Sequence, residues 1–452
     1  MKRFVKSFGV AAFFLLALLL FRTDAEAATA PHIVGQEEVI YLDGKDKIAV
    51  LGDNIISVTY SSDKKTVATV SKDGVVKPKK KGKATIRAKV TYKKNGKKTT
   101  KTLKYQVQVL GKSTEYFVYT KTNRILRLKD KAKKLESLYI PGYNAKGKIT
   151  AMYGSSLAYN ENLKHLYVSD NLETFVPHIE DIYPHSLMHC PNLKSVHLGK
   201  NYGYLQYMYN CPSIEHITVD ERNKNYKVVD DVYFSKDGKN LCYYPAGKRN
   251  TSYVIPEGTE RVYGYAFYGA RYLQSVTLPE TVKSLGEGAF YAASLREVHM
   301  PEYAAINMEE GYVFAECTNL KSLSLPEGVT NIYRMCCNCT ALETVELPAS
   351  FSDSWWLSSA FTGCSSLKNI QLKEGCSACR VVDGVVFSMD GKELYLYPAG
   401  KTDVASYTVP DGTEVIWEYA FYDAACTEVR IPASVKIEDD AFRKNTDIKI
   451  IQ

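Results

Sequence analysis

The sequence places Cys376 and Cys379 at the C-x-x-C spacing that thiol–disulfide enzymes and zinc sites both use. A redox site needs this pair at the N-terminus of a helix near a βαβ unit. A zinc site needs a second pair, and Cys336-Cys337 is a poor one because the two residues are adjacent. Neither context accompanies the motif. A local disulfide and two unlinked thiols are therefore alternative interpretations to redox or metal use.

Four histidines lie in short apolar segments of similar pattern: His165, His197, His216 and His299. If these segments are neighbouring strands about 4.8 Å apart, the first three histidines approach one another closely enough to share a metal ion. They do not all hold the same position in the pattern, and no cluster of carboxylates accompanies them. The sequence therefore favours a solvated polar surface, and we expect neither a metal nor a cofactor.

Catalytic signatures do not occur in the chain. G-x-S-x-G, H-E-x-x-H and P-loop patterns are all missing. Aromatic clusters remain as candidates for ligand contact: Trp355-Trp356, and a group formed by Tyr202, Tyr204, Tyr207 and Tyr209. Such side chains can stack on sugars or anchor protein partners. The alternative is that alternate members of each group belong to the core.

A repeated hydrophobic motif sets the framework around these residues. Apolar residues recur at positions i, i+3 and i+5, mostly in steps of about 22 to 25 residues, which is the period of leucine-rich repeats. Each motif predicts one short parallel strand with its three apolar side chains turned inward. The motifs begin at Leu163, Leu193, Ile214, Leu273, Leu295, Leu320, Leu342 and Leu367.

Buried side chains are predicted between these strands. An apolar-Phe pair recurs, with the phenylalanine expected in the solenoid interior; these residues are Phe267, Phe290, Phe314, Phe361, Phe421 and Phe442. Cysteines recur two or three residues before a strand motif, where we expect small buried side chains; these are Cys190, Cys211, Cys317, Cys339 and Cys364, with Cys426 near the same slot.

These motifs resemble the BspA-type leucine-rich repeat of bacterial surface proteins. Residues 325–332 and 360–367 carry the resemblance most closely, and a longer unit at residues 228–248 returns at residues 381–401, as an inserted β-hairpin does in that family. The resemblance covers most of residues 113–452. Residues 113–160 depart from the repeat consensus, so we interpret them as an atypical capping repeat.

Stacked coils leave only the outward strand residues free for a partner. The predicted partner-binding positions are Lys194, Ser195, His197, Gln274, Ser275, Thr277, Arg296, Glu297, His299, Lys321, Ser322, Ser324, Glu343, Thr344 and Glu346. We predict that charge reversals among them weaken partner binding without affecting thermal stability.

Residues 28–112 show a different pattern of short alternating strands separated by turns such as Asp73-Gly74 and Asn95-Gly96, which predicts a β-sandwich. The run from Tyr60 to Ile86 resembles the bacterial immunoglobulin-like group 2 domain, although Tyr60 stands where the family often has tryptophan. The fold class predicted for the whole chain is therefore mainly β: an N-terminal Ig-like sandwich followed by a leucine-rich-repeat solenoid.

The N-terminal residues and the distribution of charge indicate where the protein is located. Lys2, Arg3 and Lys6 precede an apolar run, and Ala25-Glu26-Ala27 offers a small-x-small cleavage site, which predicts a signal peptide over residues 1–27. We expect a secreted or cell-surface protein with no membrane span in the mature chain. Residues 28–111 hold 17 lysines and one arginine against seven acidic residues, in a chain of net charge +8.

The six lysines between Lys93 and Lys104 form the densest basic stretch. A solvated hairpin explains them, and so does contact with an anionic wall polymer; nucleic acid is a poor partner for an exported protein. We predict a non-catalytic binding or adhesion protein with host extracellular or bacterial surface proteins or glycans as partners. A secreted enzyme or accessory subunit acting on wall or host glycan is the alternative, and a purely mechanical surface component is a third.

Overall fold

The computed structural model describes residues 29–35, 38–176, 187–203, 208–302, 306–308, 311–329, 332–352, 354–402, 405–445 and 447–452. The chain divides into two compact units between Leu110 and Gly111. The predicted signal peptide lies outside the described residues. Within the described ranges, no helix combines the length and the apolar character that a membrane span requires.

The first unit is made of small sheets. Its four-stranded sheet has the order Val39–Tyr41, Lys97–Leu110, Gly82–Lys94, Ile55–Ser62. A three-stranded sheet has the order Asp46–Lys47, Val75–Pro78, Ala68–Val70, and His32–Val34 pairs with Ala49–Leu51. All pairings are antiparallel except that of Val39–Tyr41 with Lys97–Leu110.

Alternation of side chains along these strands creates the core of the first unit. In Gly82–Lys94, Ala84, Ile86, Ala88 and Val90 are buried while the intervening residues face outward, as the period of two in a strand requires. The core joins residues from the four-stranded and three-stranded sheets, including Ile40, Val76 and Val107. This is the predicted sandwich.

The second unit is a parallel β-solenoid of about 13 turns. One strand per turn contributes to what we call the front row, and eight of these strands carry the predicted motif. The front-row strands are Ser137–Ile140, His165–Val168, Ser195–Leu198, His216–Val219, Ser252–Val254, Ser275–Thr277, Glu297–His299, Ser322–Ser324, Thr344–Leu347, Asn369–Leu372, Ser406–Thr408, Glu428–Arg430 and Lys449–Ile451. Hydrogen bonds join them into parallel sheets of four, three, three and three strands.

Strands of two to four residues form a second row on the return path of most turns. They are Ile125–Leu128, Ala151–Tyr153, Thr174–Val176, Asn240–Tyr243, Arg261–Val262, Ser284–Leu285, Asn307–Met308, Glu393–Leu396, Val415–Ile416 and Lys436–Ile437. Phe117–Tyr119 pairs antiparallel with Ile125–Leu128, Tyr143–Asn144 pairs with Gly147–Lys148, and Leu187–Met188 pairs with Met208–Tyr209. The helical segments are Ser113–Glu115, Asp130–Lys133, Gly154–Leu157, Ser354–Trp356 and Leu357–Ala360.

The region predicted as a cap therefore contains a regular front-row strand as well as a hairpin. Ser137–Ile140 pairs in parallel with His165–Val168, residue for residue. Leu138 and Ile140 are buried in the same way as the corresponding residues of later turns. Residues 135–140 carry the same apolar pattern as those later motifs.

Phenylalanines fill the interior of the solenoid as predicted. Phe267, Phe290 and Phe314 are fully buried and stack in sequence, with ring centroids 4.8 and 5.4 Å apart. Phe361 and Phe421 are buried as well, whereas Phe442 is only partly buried. Because each ring contacts rings of the neighbouring turns, no turn completes its core alone.

The recurring insert is a β-hairpin that joins the second row. Tyr226–Val229 pairs with Val232–Ser235, and Arg380–Val382 pairs with Val385–Phe387, both antiparallel. Gly247 and Gly400 follow the two inserts, and a Cβ at either position would lie within 3 Å of the backbone of Ser213 or Ser366. Glycine is needed there because the chain passes too close for any side chain.

Candidate interaction surface

The front row presents its outward side chains in aligned columns. Parallel pairing places Ser275 beside Glu297, and Thr277 beside His299. In the same way Ser322 lies beside Thr344, and Ser324 beside Glu346. Successive strands stand about 4.8 Å apart. Within each front-row sheet, side chains from separate turns therefore form one aligned surface.

The predicted partner-binding residues differ in exposure. The exposed ones are Lys194, Gln274, Arg296, Glu297, His299, Lys321, Ser322, Ser324 and Glu343. His197, Ser275, Thr277, Thr344 and Glu346 are half-buried. The expectation that Ser195 is exposed is wrong, because its side chain is only 7% exposed. Its hydroxyl lies between two imidazoles, 2.9 Å from His165 Nδ1 and 3.2 Å from His197 Nε2.

An aromatic stack runs across the first three strands of the front row. The rings of Tyr139 and Tyr167 are parallel with centroids 4.3 Å apart, and His197 continues the stack at 4.5 Å from Tyr167. On its far side, His197 Nδ1 lies 2.7 Å from the Thr218 hydroxyl. All three rings are half-buried, so their outer edges form a rigid aromatic strip. The sequence analysis missed Tyr139 and Tyr167 as surface residues.

Further along the row the surface becomes polar and charged. The Ser324 hydroxyl donates to the Glu346 carboxylate at 2.5 Å, and His299 Nε2 lies 3.5 Å from Glu297 Oε1. These exposed pairs contribute little to stability, because solvent screens them. Side chains at these positions can therefore vary to suit a partner without a large loss of stability.

The histidines do not form a metal site within the described residues. His165 and His197 share the Ser195 hydroxyl, whereas His216 pairs with Asp231 at 3.1 Å and His299 lies several turns away. Across the described ranges, no three side chains among His, Cys, Asp and Glu are placed to hold a metal ion.

Cysteines of the predicted slot are buried free thiols. Four donate their S–H to a carbonyl of the preceding turn, as in Cys317 to Phe290 O at 3.1 Å and Cys339 to Phe314 O at 3.0 Å. The others with this bond are Cys190 and Cys364 (3.2 and 3.1 Å), and Cys211 makes a longer one at 3.5 Å. A small side chain with a weak donor therefore fills the slot and satisfies a backbone acceptor.

The C-x-x-C pair is also unlinked. Cys379 is buried, Cys376 is half-buried, and both are free thiols. Burial raises the pKa of the Cys379 thiol to about 12. A redox-active cysteine requires a lowered thiol pKa and an exposed position, so the geometry at Cys379 is that of a structural residue.

Comparison with known families identifies both parts of the chain. The model described as the BspA type leucine rich repeat region matches residues 152–241, 239–367 and 399–452, with six copies. These matches span more than half of the chain. The chain belongs to the BspA-type leucine-rich-repeat family. The predicted resemblance is thereby confirmed, and so is the N-terminal one, because the bacterial Ig-like domain (group 2) matches residues 47–103.

Several solved structures are among the matches to this BspA-type chain. A leucine-rich repeat protein from Eubacterium ventriosum is 18% identical, with 72% of this chain and 96% of that chain covered at a TM-score of 0.42. A leucine rich cell surface protein from Faecalibacterium prausnitzii is 18% identical (59% and 96% covered, TM-score 0.36). The pneumococcal vaccine antigen PcpA is 16% identical (78% and 96% covered, TM-score 0.40). No curated protein matches the chain significantly.

The lysine-rich stretch forms the tip of a long hairpin in the Ig-like unit. Gly82–Lys94 and Lys97–Leu110 are joined by Asn95 and Gly96, both with the left-handed φ angles that a tight hairpin turn needs. Lys93 lies opposite Lys98, and Lys94 opposite Lys97. Like charges directly opposite each other destabilise a strand pair, so this arrangement is unfavourable unless an anion neutralises it.

The two predicted aromatic clusters behave differently. Tyr202 is fully buried against Phe175, and Tyr204 and Tyr207 lie outside the described residues. Trp355 and Trp356, in contrast, are 66% and 43% exposed. The first cluster therefore contributes at least one core residue, whereas the tryptophan pair is a surface feature of the BspA-type solenoid.

Proposed function

We propose that this BspA-type protein is an exported binding protein that uses the front row of its solenoid to hold a protein or glycan partner outside the cell. The proposal rests on one observation. The apolar strand residues lie in the core, and the outward positions form aligned columns in each front-row sheet, the first of which carries the Tyr139–Tyr167–His197 stack. Rigid aromatic rings flanked by polar groups are typical of residues that dominate binding energy.

The contact surface assigned by this proposal comprises the predicted front-row residues together with the aromatic stack. Ser195 acts beneath the surface by fixing the rings of His165 and His197. Arg296 and Lys321 supply exposed positive charge, and negative charge comes from Glu297 beside Arg296 and from Glu343 on the turn after Lys321. A partner that binds this surface needs a complementary pattern of charges and an apolar strip that covers the aromatic rings.

A capture experiment with matched variants tests this function. The full-length protein is immobilised and exposed to surface extracts of host and bacterial cells. One variant reverses front-row charges, Arg296→Glu with Lys321→Glu. The control variant reverses second-row charges, Lys283→Glu with Lys436→Glu, whose side chains are 71% and 67% exposed. The front-row variant is expected to lose the captured partner, and the control to keep it. Equal capture by both variants contradicts the assignment of the front row.

The lysine tip of the Ig-like unit is proposed as a second contact, with an anionic wall polymer as its ligand. The like-charge pairs Lys93/Lys98 and Lys94/Lys97 support this role, because a polyanion would relieve their repulsion. Retention at the surface would then be electrostatic and sensitive to salt.

A further inference from the structure

The three tryptophans of the chain all line one cleft. Trp355, Trp356 and Trp417 surround a cavity of about 410 Å³, together with Tyr333, Arg334 and Glu418. This volume lies in the range of small-ligand pockets. Trp417 directly follows the second-row strand Val415–Ile416, so the cleft belongs to the return path of the solenoid and is separate from the front row.

A break in the regular backbone ladder creates the cleft. Along the return path, amides donate to the carbonyl of the next turn, as in Phe314 to Met335 and Cys336 to Ala360. The ladder resumes with Tyr397 to Ala420. Between these turns the amide of Phe361 bonds within its own turn, to Ser358 O, where the helical turn Leu357–Ala360 is inserted. The ladder is thus interrupted at Phe361, and the tryptophans line the cleft beside this interruption.

The indole rings are held in place yet remain exposed. The Trp417 indole N–H donates to Glu393 Oε2 at 2.9 Å, and the Trp355 ring meets the Trp417 ring at 74° with centroids 4.5 Å apart. Across the cleft the rings of Tyr333 and Trp356 meet at 72° and 4.6 Å. Exposed, contiguous aromatic surface of this kind is unfavourable in water and marks a site of contact. Its fixed geometry lowers the entropy cost of binding.

Polar groups at the rim select the class of ligand. Arg334 gives one N–H to the Tyr312 hydroxyl at 2.7 Å, and a guanidinium carries five N–H donors in all. Glu418 is an exposed carboxylate that can accept. A quaternary ammonium would be repelled by the positive charge of Arg334. A purely aliphatic ligand would form no hydrogen bond with Arg334 or Glu418. A pyranose suits the cleft, since its axial C–H groups stack on aromatic faces while its equatorial hydroxyls both donate and accept.

We propose that this cleft binds a β-linked, gluco-configured glycan, of glucose or N-acetylglucosamine type, as a site distinct from the front row. In such a sugar all ring substituents are equatorial, so both faces present C–H groups to the rings. The proposal does not depend on the function assigned to the front row.

The tryptophans themselves report on the cleft. Because all three line it, intrinsic tryptophan emission of the full-length protein responds to occupancy of this site alone. Cellotetraose and chitotetraose are titrated separately into the protein. At least one of them is expected to shift the emission to shorter wavelength and to protect the indoles from acrylamide quenching.

Matched variants complete the test. Trp355→Ala, at a mostly exposed position, is expected to weaken binding by about tenfold or more. Tyr159→Ala removes an aromatic ring that is 72% exposed elsewhere on the solenoid, and it is expected to leave binding unchanged. Thermal melting verifies that both variants fold. The proposal is overturned if neither oligosaccharide alters emission or quenching at millimolar concentration, or if Trp355→Ala binds as tightly as the parent.

Discussion

The imidazole of His197 lies parallel to the phenol ring of Tyr167, with the two planes 9° apart and the ring centroids separated by 4.5 Å. Tyr139 extends this stack on the preceding turn at 4.3 Å. Each ring comes from a different turn of the solenoid. The geometry of the stack therefore depends on the alignment of neighbouring turns, and the rings also form part of the surface of these turns.

Removal of the middle ring tests both roles. Tyr167→Ala is expected to lower the free energy of unfolding by about 1 kcal/mol, because two aromatic contacts are lost. It is also expected to reduce capture of the front-row partner. Urea denaturation followed by circular dichroism measures the first effect. Tyr167→Phe keeps the stacked ring and should retain most of both properties, so an equal loss in the two variants would contradict a role for stacking.

The buried phenylalanine column predicts a much larger effect. Phe290 lies between Phe267 and Phe314 and is fully buried. Phe290→Ala is expected to cost about 3–5 kcal/mol, since it leaves a cavity that the neighbouring turns cannot fill. The exposed Glu297→Ala on the same stretch should stay within about 0.5 kcal/mol of the parent. Comparable unfolding midpoints for the two variants would argue against the stacked core.

The lysine tip predicts opposite effects on stability and binding. Lys97→Glu with Lys98→Glu places carboxylates opposite Lys94 and Lys93. Each new cross-strand ion pair is expected to stabilise the Ig-like unit by about 0.2–1 kcal/mol. The same variant should bind a poly(glycerol phosphate) wall polymer more weakly and with less dependence on salt. Lys72→Glu, at an exposed lysine away from the tip, serves as the control. Unchanged polymer binding in the tip variant would exclude the tip as the contact.

Buried ionisable groups predict a loss of stability at alkaline pH. Burial raises the pKa of the Tyr226 hydroxyl to about 12, and that of the Cys242 thiol to about 12. Both groups keep their protons in the fold at a pH where the unfolded chain has lost them. Their stabilising contribution is complete below the ordinary pKa values, about 8.5 for cysteine and 10 for tyrosine. It declines as the pH rises from there to about 12.

Urea midpoints at pH 7, 9.5 and 11 measure this decline. The midpoint is expected to fall most between the last two values, where tyrosine ionisation in the unfolded chain adds to that of cysteine. A midpoint that stays constant up to pH 11 would mean that these groups are not protected by the fold.

Accessible thiols offer a further check of the interior. Cys379 and Cys242 are buried, whereas Cys376 and Cys337 are half-buried. We expect iodoacetamide at pH 8 to modify Cys376 well before Cys379 or Cys242, because the latter have almost no thiolate at that pH. Mass spectrometry of digested, partially alkylated protein gives the order. Simultaneous labelling of all three would contradict the burial of Cys379 and Cys242, the two thiols whose pKa is raised.

Local patterns were enough to predict the parts of this molecule that repeat. The period of leucine and valine located eight of the thirteen front-row strands, and the recurring cysteine slot proved to be buried. Segments that depart from the consensus were harder to assign from the sequence. The strand Ser137–Ile140 was included in a predicted cap, although residues 135–140 carry the same apolar spacing as the later motifs.

Properties that arise between turns were not accessible from the pattern. Ser195 was predicted to be exposed because it follows the outward alternation, but the histidines of its own and the preceding strand cover it. The tryptophan cleft joins Trp355 to Trp417 across an inserted hairpin. The number of turns between them and the break in the ladder at Phe361 are features of stacking, which no single motif encodes.

The inserted hairpins reproduce one aromatic arrangement twice. Tyr244 meets Phe267 at 4.9 Å and Tyr253 at 5.1 Å, while Tyr397 meets Phe421 at 5.1 Å and Tyr407 at 5.1 Å. Each tyrosine begins a new column of rings, and the turns after the second hairpin have a hydrophobic cluster of their own. A gene encoding such a protein can grow or shrink by an entire block that starts at a hairpin, since each block begins its own column of stacked rings.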